Sequence, residues 1–191
     1  MPASTLILAS ASPARRALLR SAGVAFEVVP SRVRELTGRG RTLRATVLAN
    51  ARRKALSVAR RFPGRDVLGA DTMIEFGGRL LGKPRTLAEA ERLHLAMGGR
   101  SHRIATGVCL VAAGEVRTLC VVSRVRVRPL SPTRLRAIYR QRDPRRMAGG
   151  YALARGRDPL IERIAGSITN VLGLPMEAVL PALAAARPRR R

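Results

Sequence analysis

Short apolar runs alternate with segments of helical period along this chain, and several of the runs lie close enough together to pair as hairpins. Residues 5–9 (TLILA) read as a short buried strand. Residues 10–13 form a turn, and a helix follows to about Ala22, with Ser12 as N-cap, Pro13 at its first position and Gly23 ending it. Residues 26–29 read as a second strand and 30–41 as a polar loop. A long helix covers 42–62. Residues 66–70 are a strand, which 72–76 continue towards a Gly77-Gly78 turn. Thr86-Leu-Ala-Glu89 is a capping box whose helix stops at Gly98-Gly99. Strands at 104–112 and 116–127 join around Gly114. Ser131-Pro132 caps a helix to about Arg140, Gly149-Gly150-Tyr151 precedes a strand near 160–164, and 176–186 is a closing helix. This order predicts an α/β fold with a mixed sheet. Residues 1–186 are expected to form a single domain, and 187–191 a basic, disordered tail.

The long helix carries an anomaly. Leu43, Val47, Ala51, Ala55, Val58, Ala59 and Phe62 keep helical spacing, and at about 100° per residue Lys54 projects inside their sector, near its edge. Two readings stand: a lysine snorkelling at the sector boundary, or an ammonium aimed into a cleft.

Charge narrows the partners. Lys and Arg number 37 against 12 Asp and Glu, a net charge of +25. Such a surface attracts polyanions. Aromatic residues are only 3%, too few for base-stacking platforms, and the arginines are spread along the whole chain, so nucleic-acid binding is expected to be incidental. Only two of the 37 basic residues are lysines, Lys54 and Lys83, which marks both as positions where a compact ammonium is needed. The longest uncharged stretch, residues 1–14, falls short of the roughly 20 apolar residues of a membrane helix, and no basic segment precedes it as in a secretory signal. Cys109 and Cys120 lie in apolar runs without CxxC spacing, which predicts buried free thiols and a cytoplasmic location.

Four segments carry residues fit for chemistry. In Ser10-Ala11-Ser12-Pro13-Ala14-Arg15-Arg16 a strand runs into a helix N-terminus with hydroxyls and arginines, which is either an anion site or an ordinary capped helix with a basic face. Asp71 follows the apolar strand VLGA and is a candidate general base or metal ligand, or a plain turn aspartate. Lys83 sits in the stiff turn Gly82-Lys83-Pro84. Glu35 is a loop carboxylate in a chain poor in acids, and a candidate for holding a cation. His94 and His102 lack paired-ligand spacing, and neither GxSxG nor GxxxxGK[ST] occurs, which argues against zinc, serine-hydrolase and P-loop chemistry.

Taken in order, LILASASPARRALL, FEVVPS, Glu35, Ala51-Arg52-Arg53-Lys54-Ala55, VLGADTMI, LLGKP, GGRSHRIATGV, AGGYAL and IAGSITNVLGLP resemble the Maf family of nucleoside triphosphate pyrophosphatases across residues 5–180. The resemblance implies an elongated mixed sheet with flanking helices, two lobes around a cleft, of the inosine triphosphatase type. It implies cleavage between the α- and β-phosphates with a divalent cation, Mg, Mn or Co, and commonly a homodimer. Asp71 matches the proton acceptor; Ser10, Arg15, Lys54 and Lys83 match substrate-binding positions; Glu35 and Asp71 are the candidate metal ligands. The specificity-linked positions are Ala14, Thr72 and Ala154: Thr72 matches the dTTP/UTP type, whereas Ala14 and Ala154 replace larger residues. The acidic loop of the family is Arg32-Val33-Arg34-Glu35 here, two carboxylates poorer. These departures predict intact phosphate chemistry and relaxed base preference. The alternatives are a basic nucleic-acid-binding protein, marked by steep salt dependence, and a division regulator without catalysis.

Overall fold

Leu6, Ile7 and Leu8 are fully buried, Leu6 and Leu8 against Leu19 and Leu174 on one face of the sheet and Ile7 against Ala51, Ala55 and Val58 on the other. The computed structural model describes residues 5–38, 40–141, 143–146 and 158–186. Its elements run β1 (Leu6–Leu8), α1 (Pro13–Ser21), β2 (Phe26–Val28), α2 (Leu43–Ala59), β3 (Val67–Phe76), β4 (Arg79–Leu81), α3 (Leu87–Met97), β5 (Ser101–Ala112), β6 (Glu115–Val127), α4 (Pro132–Gln141), a 3₁₀ turn (Pro144–Arg146), β7 (Ile161–Ala165), α5 (Ile168–Val171) and α6 (Met176–Ala186). The seven strands form one mixed sheet in the order β2-β1-β3-β5-β6-β7, with β4 also on β3. The β1 pairs are parallel, and the pairings of β3 with β4 and β5, β5 with β6 and β6 with β7 are antiparallel.

Helix α2 covers one face of the sheet. Its buried stripe is Leu43, Thr46, Val47, Asn50, Ala51, Lys54, Ala55 and Val58. Two glycines bring it unusually close. A Cβ on Gly69 would lie 2.6 Å from the Ala51 carbonyl oxygen, and one on Gly107 would lie 2.5 Å from the Val47 carbonyl. The helix backbone therefore rests directly on β3 and β5. On the other face, Leu19 of α1 and Leu174, Val179 and Leu183 in and before α6 pack over Leu68, Val108 and Leu110. Leu135 and Ile138 of α4 pack over Ile74, Ile104 and Val125 of the same face.

Strand β3 positions the site. One of its edges pairs with β5 throughout. The other pairs with β1 at Val67 and Leu68 and with β4 from Ile74 to Phe76. Between them, residues 69–73 have no strand on that edge among the described residues, a notch in the sheet. The β5 pairing corrects the placement of Asp71: the aspartate is not at a strand end but in the middle of an unbroken ten-residue strand, opposite Gly107. The opening beside it exists because β1 and β4 both stop short.

Other expectations are adjusted in detail. The Thr86 hydroxyl accepts from the Glu89 N–H at 3.0 Å, but Glu89 reaches back to the Arg85 N–H rather than that of Thr86. Helix α5 and the 3₁₀ turn, too short to show a period, are additions. Both cysteines are free; Cys109 is buried, with burial pushing its thiol up to about 11, whereas Cys120 is only half-buried. Gly149-Gly150-Tyr151, Ala154 and the tail 187–191 lie outside the described residues. No helix among the described residues is long and apolar enough to cross a membrane.

His102 on β5 gives the fold an acid limit. Burial presses its imidazole from 6.5 down to about 4, with His94 adding a little in the same direction and the Arg103 backbone opposing. Between these values the unfolded chain holds a proton that the native state refuses, so stability falls as pH drops from 6.5 towards 4. The unfolding free energy from urea titrations is expected to decline across that window, by about 3 kcal/mol at most. In His102→Gln the decline should be visibly shallower.

Candidate active site

Six of the sequence-derived positions converge on the notch, in two sets on opposite faces of β3. Successive β3 side chains alternate between the faces, so Asp71 turns to α2 and Thr72 turns to α1 and α5.

On the α2 face, Asp71 and Lys54 are buried, with 4% and 8% exposure. Lys54 stands one helical turn after Asn50 on the buried stripe, and its ammonium turns inward to two carboxylates rather than out to solvent. Lys54 Nζ donates to Asp71 Oδ1 at 2.7 Å and to Glu35 Oε1 at 2.5 Å. A buried ammonium beside one carboxylate is stable only if well paired, and here two carboxylates share it. Glu35 contributes from the loop before α2, and its side chain is 60% exposed, so the pair opens to solvent on that side. The second Asp71 oxygen, Oδ2, accepts from Asn50 Nδ2 at 2.8 Å.

On the other face, the Ser12 hydroxyl caps α1 by accepting from the Arg15 N–H at 3.5 Å. The Arg15 side chain is buried, and each of its three nitrogens donates to protein: Nε to the Gly173 carbonyl at 2.8 Å, Nη1 to Ser10 Oγ at 3.0 Å and Nη2 to Thr72 Oγ1 at 3.1 Å. Desolvation lowers its guanidinium pKa, and the charges of Asp71 and Glu35 oppose that shift, which ties the two faces together electrostatically. Thr72 Oγ1 lies 2.9 Å from Thr106 Oγ1, and the Thr106 hydroxyl donates to the Asn170 carbonyl at 3.0 Å. The single Thr72 hydrogen is therefore directed at Thr106. Asn170 continues the relay, donating to Ser123 Oγ at 2.9 Å and to the Ile104 carbonyl at 3.3 Å.

Lys83 is the sequence-derived cation that the structure leaves apart. It is exposed beyond β4 and has no ion pair among the described residues. Its strand ends at Leu81 opposite Ile74 and runs antiparallel to β3, so the chain leaves in the direction of the notch. Ala14 is half-buried in the first turn of α1. Sequence reasoning missed Asn50, Thr106 and Asn170. Each is a fully or almost fully buried polar residue in an apolar run, and that mismatch was the available signal.

A mixed sheet interrupted at one strand edge, with two carboxylates, an ammonium and a guanidinium gathered there, defines an α/β protein with a compact charged site. Comparison with known proteins gives the family. Residues 5–186 match the family described as Maf-like protein. A dTTP/UTP pyrophosphatase of Gloeobacter violaceus is 38% identical over 179 residues, with 94% of each chain covered. One of Geotalea uraniireducens is 40% identical over 182 residues, also with 94% of each covered. One of Thermococcus onnurineus is 40% identical over 174 residues, covering 91% of this chain and 94% of that one. The chain belongs to the Maf-like family. A solved nucleoside-triphosphatase / dITP/XTP pyrophosphatase of Mycobacterium abscessus aligns at 15% identity with a TM-score of 0.43, too low a similarity to carry an inference.

Proposed function

We propose that the protein is a nucleoside triphosphate pyrophosphatase, cleaving the α–β anhydride to give a nucleoside monophosphate and pyrophosphate. The observation that carries this reading is the Asp71–Lys54–Glu35 cluster at the β3 notch, with Lys54 Nζ 2.7 Å from Asp71 and 2.5 Å from Glu35. The names of the relatives point the same way.

A triphosphate tail brings close to four negative charges, and cations must meet them. Lys54 and Lys83 supply ammonium groups, and Arg15 supplies a guanidinium held in place by the protein, through its remaining N–H groups. When the Lys54 ammonium turns to a phosphate oxygen, Asp71 Oδ1 is released. That oxygen then orients a water and takes its proton as the water attacks in line at one phosphorus of the α–β bridge. Asn50 keeps Oδ2 in place meanwhile. The same arrangement fits a divalent cation. Asp71 and Glu35 direct hard oxygens at one point, now filled by the Lys54 ammonium, and one or two carboxylates plus phosphate oxygens are what magnesium takes. Such a cation would supply charge neutralisation at the phosphates.

Base preference follows from what the specificity positions have to offer. Ala14 and Ala154 carry no polar side-chain atom, and the Thr72 hydrogen is directed at Thr106. Strong base discrimination needs a donor or acceptor left unpaired by the wrong ligand. We therefore read dTTP and UTP as substrates within a relaxed selection. Steady-state pyrophosphate release from dTTP, UTP, CTP, GTP and 7-methyl-GTP should span less than about a hundredfold in kcat/KM, and one base preferred beyond that would contradict it.

A further inference from the structure

We infer that Asn50 is a positioning residue, a latch that fixes Asp71 and the Glu35 loop to each other; the inference rests on the pyrophosphatase reading of the same site. Asn50 lies in mid-α2 and is 1% exposed. Asparagine is a poor helix former, and a buried amide is costly unless its bonds are made. Here they are made. Nδ2 donates to Asp71 Oδ2 at 2.8 Å and to the Leu36 carbonyl at 3.1 Å, and Oδ1 accepts from the Leu36 N–H at 2.7 Å. The opposite amide orientation would set NH₂ against the Leu36 N–H and oxygen against the carboxylate, so the network admits one orientation.

One side chain thus joins α2, β3 and the loop after β2. Leu36 is bound through both backbone groups, and Glu35 is its neighbour in the chain. Glu35 is mostly exposed and belongs to no strand or helix, so its reach to Lys54 depends on where Leu36 is held. Asp71 is held by the sheet, but its carboxylate rotation is set by Asn50 on Oδ2, which leaves Oδ1 towards Lys54. Asn50 touches neither solvent nor the point where Glu35 and Asp71 meet. It acts through both.

Asn50→Leu in the full chain tests this, with Asn50→Ser as a second variant too short to span both partners. In each, kcat for pyrophosphate release should fall by about 10- to 100-fold, the loss typical when a residue orienting catalytic or metal-binding groups is removed, with KM changed by less than about threefold. Amide exchange at Leu36 should accelerate at least about tenfold while β5 amides keep their protection. An unchanged kcat, or a uniform acceleration across β5 and Leu36 alike, overturns the inference. Failure of the wild-type protein to release pyrophosphate from any triphosphate sinks the pyrophosphatase reading instead. In that event Leu36 exchange alone decides on the latch: site-local acceleration supports it, and none refutes it.

Discussion

Asp71→Asn is expected to lower kcat for pyrophosphate release by about a thousandfold, within the range that a general base contributes, while the protein stays folded. Asparagine has nearly the shape of aspartate, so the β3 pairing opposite Gly107 is kept. Its side-chain oxygen still accepts from Asn50 Nδ2. What is lost is the charge and the oxygen that accepted from Lys54, whose place an NH₂ group takes. Lys54 keeps Glu35 as partner, so the ammonium is not stranded, and the urea midpoint should move little compared with the loss of turnover. A variant retaining more than a tenth of wild-type kcat would place the proton acceptor elsewhere.

The second large effect comes from a residue with no chemistry at all. Gly107→Ala is expected to destabilise the fold by about 3 kcal/mol, at the upper end of overpacking costs, and to abolish most activity in the molecules that remain folded. A Cβ there would stand 2.5 Å from both the carbonyl carbon and oxygen of Val47 and 2.7 Å from the Leu48 nitrogen. All three are backbone atoms of α2, so no side chain can turn aside. The helix must lift. Gly107 is directly opposite Asp71, and the lifted turn leads into Asn50 and Lys54, whose 2.8 and 2.7 Å bonds to that carboxylate would open. Gly82→Ala is the control: nothing lies within 4 Å of a Cβ there, and its φ is not in the left-handed region. Urea unfolding of both variants, with pyrophosphate release at a temperature where each is folded, checks the pair. A Gly107→Ala protein as stable as wild type would mean that α2 is not held by the sheet as described.

Much of this was legible in the residues. The apolar spacing of α2 identified the helix, and the rarity and sector of Lys54 singled it out before any contact was known. The SPARR segment marked a helix N-terminus, as Ser12 and Pro13 confirm. Other features were hidden for physical reasons. Aspartate weakens a strand pattern, so Asp71 made β3 read as 66–70 continued by 72–76, whereas pairing with β5 carries it through unbroken. The notch depends on where β1 and β4 end on β3, a matter of tertiary register that no local pattern encodes. In the sequence Arg15 reads as part of an anion site or of the basic face of a capped helix. Only the fold shows its three nitrogens bound to Gly173, Ser10 and Thr72, residues up to 158 positions away.

Phosphorus NMR of the wild-type protein acting on dTTP with magnesium tests the central claim most directly. The account requires dTMP and pyrophosphate to appear together in equal amounts, with no inorganic phosphate. Accumulation of dTDP with inorganic phosphate, or an unchanged dTTP spectrum, would contradict it.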